Sequence, residues 1–488
     1  MAYSSLREFV SALDRAGELR RIGAEVEVEL EIAEIADRCV KSGGPALLFE
    51  NPVSADGRRF DVPVLINAYA SEARMNMALG VESLDAVAAE IAELLEIKPP
   101  EGIIEKVKML PKLARMASFS PKSAGGAAPC HEIVETEAPD LFSIPALKCW
   151  PEDGGRYITL PHVYSRNPRT GRRNVGMYRV QFFDAATAGM HMHLHHDGAQ
   201  NFRESEALGR RMEMAVALGG DPVLAYAASA PLPPGIDELT LAGFLRRRSV
   251  GLVRCKTVDV EVPADSDIVV EGYLEPGEVR REGPFGDHTG WYSLADDYPV
   301  LHVTAVTRRR DAIYPTIIVG RPPMEDYWLG GATGRIFLPL MKMQLPEIVD
   351  MHMPAEGVFH NMVIVSIRKA FPHHARKVMY ALWGMGQMSL AKCIVVVDED
   401  VDVHNVSEVA WKTLGSIDPR RDLVFVDGPV DALEHASPLP HAGSKVGVDG
   451  TRKWASEGFD REWPGEIVMS EEIRERVTRR WEEYGLGG

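Results

Sequence analysis

The chain has 488 residues, of which 45% are hydrophobic and 26% charged, and its formal net charge is −17. This composition is typical of a multidomain globular protein, and the negative charge argues against a nucleic-acid partner, since no overall positive field would attract phosphates. No apolar run reaches membrane-spanning length and residues 1–22 lack the apolar core of a signal peptide, so we expect a cytoplasmic protein. The five scattered cysteines form no C-x-x-C pair, which predicts reduced thiols.

The first part of the chain alternates helices and short strands. The elements predicted there are a helix at 4–16, strands at 45–52 and 62–70, and a helix at 83–97. Leu6, Phe9 and Leu13 lie at helical spacing, and Ser83 is a suitable N-cap for the last helix. The Ser-, Pro- and Gly-rich stretch 118–130 predicts a linker that ends this α/β unit.

The middle of the chain is rich in strand patterns. The predicted elements are strand–turn–strand at 157–184 with its turn at 167–171, strands at 222–229, 250–262, 267–275, 299–309 and 313–319, and a helix near 203–218. This pattern favours a mostly antiparallel sheet or a barrel.

From about residue 335 helices and strands alternate again, which predicts a second α/β domain. The predicted elements are a helix at 339–352, a strand at 358–367, a helix at 372–386, a strand at 392–398 and a helix at 405–415. The charged tail 470–485 predicts a docking helix with Ile473, Val477 and Trp481 on one stripe. The glycine-rich stretch 329–335 matches neither a dinucleotide fingerprint nor a P-loop, so a nucleotide-binding fold is not supported.

The stretch GMHMHLHHDGAQN (189–201) is dense in histidine. Strand alternation would place His191, His193 and His195 on one face and His196 on the other. Taken singly, each histidine is better explained as solvated or as satisfied in the core, whereas the cluster favours a metal or anion site. Because no H-E-x-x-H or cysteine partner accompanies them, a catalytic zinc is not indicated.

Four further polar residues lie in apolar stretches of the sequence. On spacing alone, a structural role explains each of them. Asn174 and Arg179 would point to opposite faces of a regular strand, although Gly176 permits a bulge between them. Glu238 opens a predicted helix, where an acid favours the helix dipole. Lys392 heads an apolar strand, where a lysine normally extends to solvent; a phosphate contact is the functional alternative.

Residues 280–292, RREGPFGDHTGWY, set Glu282 and Asp287 on either side of a Gly-Pro-Phe-Gly turn. Two acids in one cleft repel each other, which raises the pKa of one and lets it hold a proton near neutral pH. An arginine between them would keep one acid ionised and leave the other as a general acid. A solvated acidic turn explains the spacing equally well.

Together these motifs resemble the UbiD family of (de)carboxylases. The matching stretches, spread over essentially the whole chain, are REGPFGDHTGWY, NVGMYR, HHDGA, AKCIVVVDEDVDVHN and KVGVDGTRKW. The resemblance implies a fold of the α/β (α+β) class. The implied parts are an N-terminal α/β domain (1–122), a central FMN-binding split β-barrel (123–325), a C-terminal α/β domain (326–465) and a terminal oligomerisation helix (466–488).

The resemblance also implies a cofactor, prenylated FMN, held through Mn²⁺ or Mg²⁺, with K⁺ as a further candidate. The implied metal ligands are Asn174, His195 and Glu238. The implied catalytic residues are Arg179, Glu282 and Asp287, with Asp287 as the acid. The residues implied to contact the cofactor are Met177, Tyr178, Arg179, His191, Met192, His193, His196, Asp197 and Lys392. His196 replaces the arginine that the family carries at this position.

The implied reaction is the reversible, non-oxidative decarboxylation of an aromatic acid. The resemblance favours a hydroxybenzoate, with or without a polyprenyl chain, as in ubiquinone or menaquinone biosynthesis; the alternatives are small phenolic, heteroaromatic or cinnamic acids. A flavin prenyltransferase would supply the cofactor, and a homo-oligomer, dimer or hexamer, is expected. Two other classes stay open. An ordinary FMN oxidoreductase would need an electron-donor site, and no dinucleotide fingerprint is present. A non-catalytic carboxylase subunit would not need Arg179, Glu282 and Asp287 intact.

Overall fold

The structure is a computed structural model and describes residues 3–95, 114–126, 128–193, 196–232 and 235–486. Helices form in each part of the chain. The α-helices are Leu6–Arg15, Glu31–Lys41, Glu72–Leu79, Leu84–Leu95, Asp197–Ala207, Val223–Ser229, Glu238–Arg246, Glu325–Gln344, His374–Trp383, Val406–Ser416, Pro419–Asp422 and Glu471–Arg479. The predicted N-cap at Ser83 is confirmed, because its Oγ accepts a hydrogen bond from the Ala86 amide at 3.1 Å.

The N-terminal sheet is completed by a strand from the middle of the chain. Its strands, in spatial order, are Leu19–Glu27, Ala46–Val53, Val64–Ile66 and Tyr314–Pro315. The last of these pairs parallel with Val64–Ile66, so the N-terminal and central parts share hydrogen bonds. The first helix buries Leu6, Phe9, Val10 and Leu13 beside this sheet, as its periodicity predicts.

The central strands pair antiparallel, as predicted for the middle of the chain. Their spatial order is Tyr157–Ile158, Val180–Phe182, Thr187–Met190, Asp296–Arg308, Ile268–Glu282, Met212–Leu218, His162–Arg166 and Arg173–Gly176, with Ile133–Glu135 also on Asp296–Arg308. Smaller pairings join Gly251–Arg254 to Glu261–Pro263 and Lys122–Ser123, and Phe285–Gly286 to Tyr292–Ser293. The two longest strands form a hairpin in which Glu282 lies opposite Asp296, so Glu282 ends one arm.

The C-terminal domain has a mixed sheet. Its strands, in spatial order, are Ile348–His352, Met362–Ile367, Cys393–Asp398, Ala442–Asp449 and Leu423–Pro429. The three inner strands run parallel and the two outer strands antiparallel to their neighbours. The helix Glu325–Gln344 leads from the central sheet into this domain. The buried inner strands Met362–Ile367 and Cys393–Asp398 are apolar, as expected for strands covered on both faces.

Several sequence predictions of secondary structure are wrong. Residues 222–229 form the helix Val223–Ser229 instead of a strand, and Met212–Leu218, predicted as helix, is a strand. Both runs are short and apolar, and periodicity does not separate a buried helix from a buried strand at this length. The helix predicted at 339–352 begins at Glu325 and ends at Gln344, and a strand follows at Ile348–His352. Its glycines and Pro339 disfavour a helix locally, but tertiary packing overrides these local preferences.

The cysteines, the helix lengths and the C-terminal tail bear on the remaining sequence predictions. The five cysteines are free, as predicted. Over the described ranges, no helix is long and apolar enough to cross a membrane. The tail carries exposed apolar side chains, among them Ile467, Val468 and Trp481, and its docking on another subunit stays a prediction.

Candidate active site

Arg179 joins the two predicted acids in one buried network. Arg179 directly precedes the strand Val180–Phe182, and Glu282 ends the long strand Ile268–Glu282. The Arg179 guanidinium donates to Glu282 from Nε at 2.9 Å and from Nη2 at 3.0 Å. Its Nη1 donates to Oδ2 of Asp287 at 2.5 Å. Glu282 is 0% exposed, and the other two side chains are nearly buried. Charge-assisted bonds of this bidentate kind set the direction of both carboxylates.

The Gly-Pro-Phe-Gly turn sets the separation of the two acids. Gly283 has φ +89°, and a Cβ there would lie 3.1 Å from the Ala295 Cα. The Phe285 ring lies under the Arg179 guanidinium, 4.6 Å from centroid to Cζ. Ser293, on the opposing strand of the small hairpin, accepts a bond from Arg179 at 3.1 Å and donates to the Phe285 carbonyl. Phe285 of the turn and Ser293 of the opposing strand therefore both contact Arg179.

Both carboxylates are ionised in this arrangement. Burial raises the pKa of Glu282, but hydrogen bonds from His191 and Arg179 outweigh it and hold the pKa below its usual value. Burial also opposes ionisation of Asp287, yet the hydrogen bond from His288 and the charges of His288 and Arg179 hold its pKa well below the usual range. The prediction that one acid holds a proton at neutral pH is therefore wrong for this state, because their donors outweigh their mutual repulsion.

The histidine cluster extends the network from Glu282. His191 Nδ1 lies 2.9 Å from the second oxygen of Glu282, and its Nε2 lies 2.8 Å from Nε2 of His193. The neighbouring strand ends at Met190, so the predicted strand alternation does not extend over these histidines. His196 does not face away as predicted, because its ring stacks on His193 at 5.2 Å. Burial lowers the pKa of His193 to about 3, so this imidazole is neutral.

Glu238 contacts the backbone next to Asn174, whereas His195 lies outside the described residues. The Glu238 carboxylate accepts a hydrogen bond at 3.3 Å from the Val175 amide, which directly follows Asn174. Burial raises the pKa of Glu238 to about 7, so its ionised form lacks compensation from this environment. An amide oxygen and a carboxylate are donors that Mn²⁺ and Mg²⁺ accept, and a cation here would offset that burial. These residues therefore fit a divalent metal ion.

Asn174 lies on the strand Arg173–Gly176, whereas Arg179 lies in the connection that ends where the chain rejoins the sheet at Val180. A Cβ at Gly176 would overlap the Tyr178 ring. The glycine is therefore explained by the close approach of this ring to the backbone, and not by a bulge.

The predicted cofactor residues lie in two segments that meet. The first is 177–179, and the second, 191–197, holds His191, Met192, His193, His196 and Asp197. Tyr178 joins them, because its hydroxyl accepts a hydrogen bond from the Gly198 amide at 3.3 Å and its ring lies 5.3 Å from His196. Lys392 instead belongs to the C-terminal domain, where it donates to Glu434 at 2.8 Å. Its contact with a cofactor phosphate stays a prediction.

Family models cover three consecutive parts of the chain. The models of 3-octaprenyl-4-hydroxybenzoate carboxy-lyase match residues 10–95 with the N-terminal domain, 122–322 with the Rift-related domain and 327–450 with the C-terminal domain. The chain belongs to the UbiD family. The resemblance seen in its motifs and the predicted fold class are confirmed.

Similar proteins match the chain over nearly its whole length. An uncharacterised protein of Archaeoglobus fulgidus is 48% identical over 485 residues, 99% of each chain. The UbiD-class enzyme HmfF of Pelotomaculum thermopropionicum, in an evolved dimeric form with prFMN, is 28% identical over 97% of this chain and 98% of its own, with a TM-score of 0.79. The closed form of vanillic acid decarboxylase from Sedimentibacter hydroxybenzoicus is 26% identical over 99% and 98%, with a TM-score of 0.82.

Two histidines beside the UbiD-family acids received no role from the sequence. His288 Nδ1 lies 2.9 Å from Oδ1 of Asp287, and its Nε2 lies 2.7 Å from Nε2 of His360. A carboxylate oxygen of Asp431 lies within 4.8 Å of both imidazoles. Since the facing nitrogens share a hydrogen bond, we interpret this group as hydrogen-bonded and not as a metal site. His288 follows Asp287 directly in sequence, whereas His360 has no local signal.

A separate cavity of about 450 Å³ lies between the N-terminal and C-terminal parts of this UbiD-family chain. It is bounded by the helices Leu84–Leu95 and Glu325–Gln344 and contains Arg335, which bonds both Asp85 and Asp350. Among the described residues, no predicted site residue lines it, so the candidate chemistry lies elsewhere.

Proposed function

We propose that this chain catalyses the reversible, non-oxidative decarboxylation of an aromatic carboxylic acid, with prenylated FMN as cofactor. The observation that carries the proposal is the buried network of Arg179, Glu282 and Asp287, because His191 connects its Glu282 to the predicted cofactor segment. The UbiD-class relatives support the reaction type, since one binds prFMN and another is a vanillic acid decarboxylase.

The chain's own residues orient the substrate and deliver a proton. Prenylated FMN, when bound, would supply the electron sink for the charge left when CO₂ departs. Arg179, held from the far side by Glu282, directs its guanidinium toward the incoming carboxylate. Asp287 then gives its proton to the ring carbon, and Phe285 and Tyr298 help to exclude water from this transfer.

The substrate we favour is a hydroxybenzoate-type acid, with or without a polyprenyl chain. Small phenolic, heteroaromatic and cinnamic acids are the alternatives. A flavin prenyltransferase would supply the cofactor, and the exposed apolar tail residues support assembly into a homo-oligomer, dimer or hexamer. Asn174, His195 and Glu238 would hold Mn²⁺ or Mg²⁺, with K⁺ as a further candidate ion.

The proposal is tested on protein co-expressed with a flavin prenyltransferase. The mass and absorbance of the released cofactor should be those of prenylated FMN, and at least one aromatic acid of a panel covering these classes should release CO₂. Plain FMN with no CO₂ release would favour an ordinary FMN oxidoreductase. A protein that binds no flavin would favour a non-catalytic subunit.

Glu238→Gln should lower metal and flavin content together. The substitution keeps the side-chain shape and removes the charge that a divalent ion needs at this buried position. We expect metal affinity to fall at least about tenfold, measured by elemental analysis and flavin absorbance per chain. Glu50→Gln, at an exposed acid paired with Arg21, is the control that should retain both. Full metal content in Glu238→Gln would contradict the ligand assignment.

A further inference from the structure

Asp287 has separate partners on its two carboxylate oxygens. Arg179 holds Oδ2 at 2.5 Å. Oδ1 accepts from the His288 amide at 2.8 Å and lies 2.9 Å from His288 Nδ1. Arg179 remains protonated in proteins, so it has no proton to give. Within the described part of the chain, His288 is the titratable side chain hydrogen-bonded to Asp287.

The proposed reaction requires a proton that the resting acid does not hold. Asp287 is ionised, because the donors around it outweigh its burial. Each CO₂ released leaves a ring carbon that needs one proton, so Asp287 must be protonated in every turnover. A donor must therefore lie within hydrogen-bond distance of its carboxylate.

The charges around His288 favour its cationic form. It faces Asp287 on its own hairpin, Asp326 on the helix Glu325–Gln344, and Asp431 and His360 of the C-terminal domain, with Arg179 behind Asp287. Burial lowers the pKa of His288, but the hydrogen bond to Asp287 and the three carboxylates outweigh it and raise the pKa.

His360 completes the hydrogen bonding of that cation. Burial and the neighbouring His288 charge lower the pKa of His360 to about 4, so His360 is neutral and its Nε2 accepts from Nε2–H of His288. This leaves Nδ1–H of His288 for Asp287. The His360 contact comes from the C-terminal domain, so the orientation of His288 depends on how that domain sits against the central one.

We infer that His288 is the proton carrier that loads Asp287, and that His360 is the positioning residue that orients it. The inference rests on the proposed decarboxylation. In the loading step the Nδ1–H bond of His288 breaks and an O–H bond forms on Oδ1 of Asp287, so both groups become neutral. The Asp287 O–H bond then breaks as the C–H bond of the product forms. Solvent returns one proton to His288 for each CO₂ released, either from hydronium or from a water molecule that leaves as hydroxide.

The experiment compares kcat–pH profiles of the holoenzyme and its variants. Since the loading step starts from a protonated His288 whose pKa is raised, wild-type kcat should be full below that pKa and fall as the pH rises through it. His288→Gln should lower kcat by about 100-fold and flatten the alkaline fall. Imidazole should restore activity to His288→Ala in proportion to its imidazolium form, which a purely structural role would not produce. His360→Phe should shift the profile while flavin content is kept.

A control histidine and an NMR titration distinguish the carrier role of His288 from a structural role. His302 pairs with Glu278 at 2.7 Å on the same hairpin, and His302→Gln should leave the profile unchanged. NMR titration of the His288 imidazole should show a pKa above its ordinary value that falls in Asp287→Asn. Wild-type kcat and slope in His288→Gln would overturn the carrier role and leave the decarboxylation standing. Absence of CO₂ release by the wild type from every acid tested would overturn both.

Discussion

Arg179→Gln should remove nearly all CO₂ release and also destabilise the protein. The variant leaves Glu282, which is fully buried, and Asp287 without the cation that both carboxylates share. Removing one partner of a buried pair costs about 3–5 kcal/mol of unfolding free energy. Losing a positioned donor lowers kcat by about 10²–10³-fold. Chemical denaturation and steady-state CO₂ release measure the two effects.

A double variant separates the structural role of Arg179 from its chemical role. In Arg179→Gln/Glu282→Gln two neutral amides replace the buried pair, so part of the lost stability should return. Activity should not return, because no cation remains to orient the substrate carboxylate. Arg280→Gln is the control, since Arg280 lies on the strand that ends at Glu282 but is half exposed and pairs with Asp184 at the surface. If activity returned with stability, Arg179 would be a structural residue only.

Local periodicity was sufficient to predict elements whose buried residues lie only a few positions apart in the sequence. The helix Leu6–Arg15 and its buried stripe follow from apolar spacing, and the strand pair around the 167–171 turn follows from turn residues. The exchange of helix and strand between Met212–Leu218 and Val223–Ser229 shows the limit. Met212–Leu218 becomes a strand because two distant strands, Ile268–Glu282 and His162–Arg166, bind its two edges.

The two acids were visible in the sequence, but their partner was not. The Gly-Pro-Phe-Gly spacing identifies Glu282 and Asp287 as a pair. Arg179 precedes Glu282 by 103 residues, and on spacing alone a structural role is the better interpretation of Arg179. The resemblance to the UbiD family supplied the pairing, and the structure places the guanidinium between both carboxylates.

The spacing of the two acids in the sequence does not determine their protonation states. Repulsion between two carboxylates predicts that one of them holds a proton, whereas both carry lowered pKa values here. Two histidines contribute to the difference. His191, which follows the strand Thr187–Met190, contacts Glu282, and His288 contacts Asp287. The partner of His288, His360, comes from another domain, so no local pattern could reveal it.

Asp287→Asn should abolish CO₂ release while the cofactor still binds. The amide keeps the shape of the side chain and cannot donate a carboxylic proton, and Arg179 stays anchored to Glu282. General acids contribute about 10²–10⁴-fold to rate, so kcat should fall within that range with flavin content unchanged. Asp297→Asn, at an exposed acid of the same hairpin, is the matched control. Near-normal turnover in Asp287→Asn would contradict the acid assignment.

A double variant that combines Asp287→Asn with His288→Gln tests whether both residues act on one proton. If His288 works only through Asp287, then Asp287→Asn/His288→Gln should be no slower than Asp287→Asn alone, since residues on one path are not additive. Two independent roles would instead multiply the losses. Exchange of the product's ring hydrogen in D₂O gives a second measure, because it reverses the same proton transfer without requiring CO₂. Loss of CO₂ release with exchange retained would place Asp287 in carbon–carbon cleavage and not in protonation.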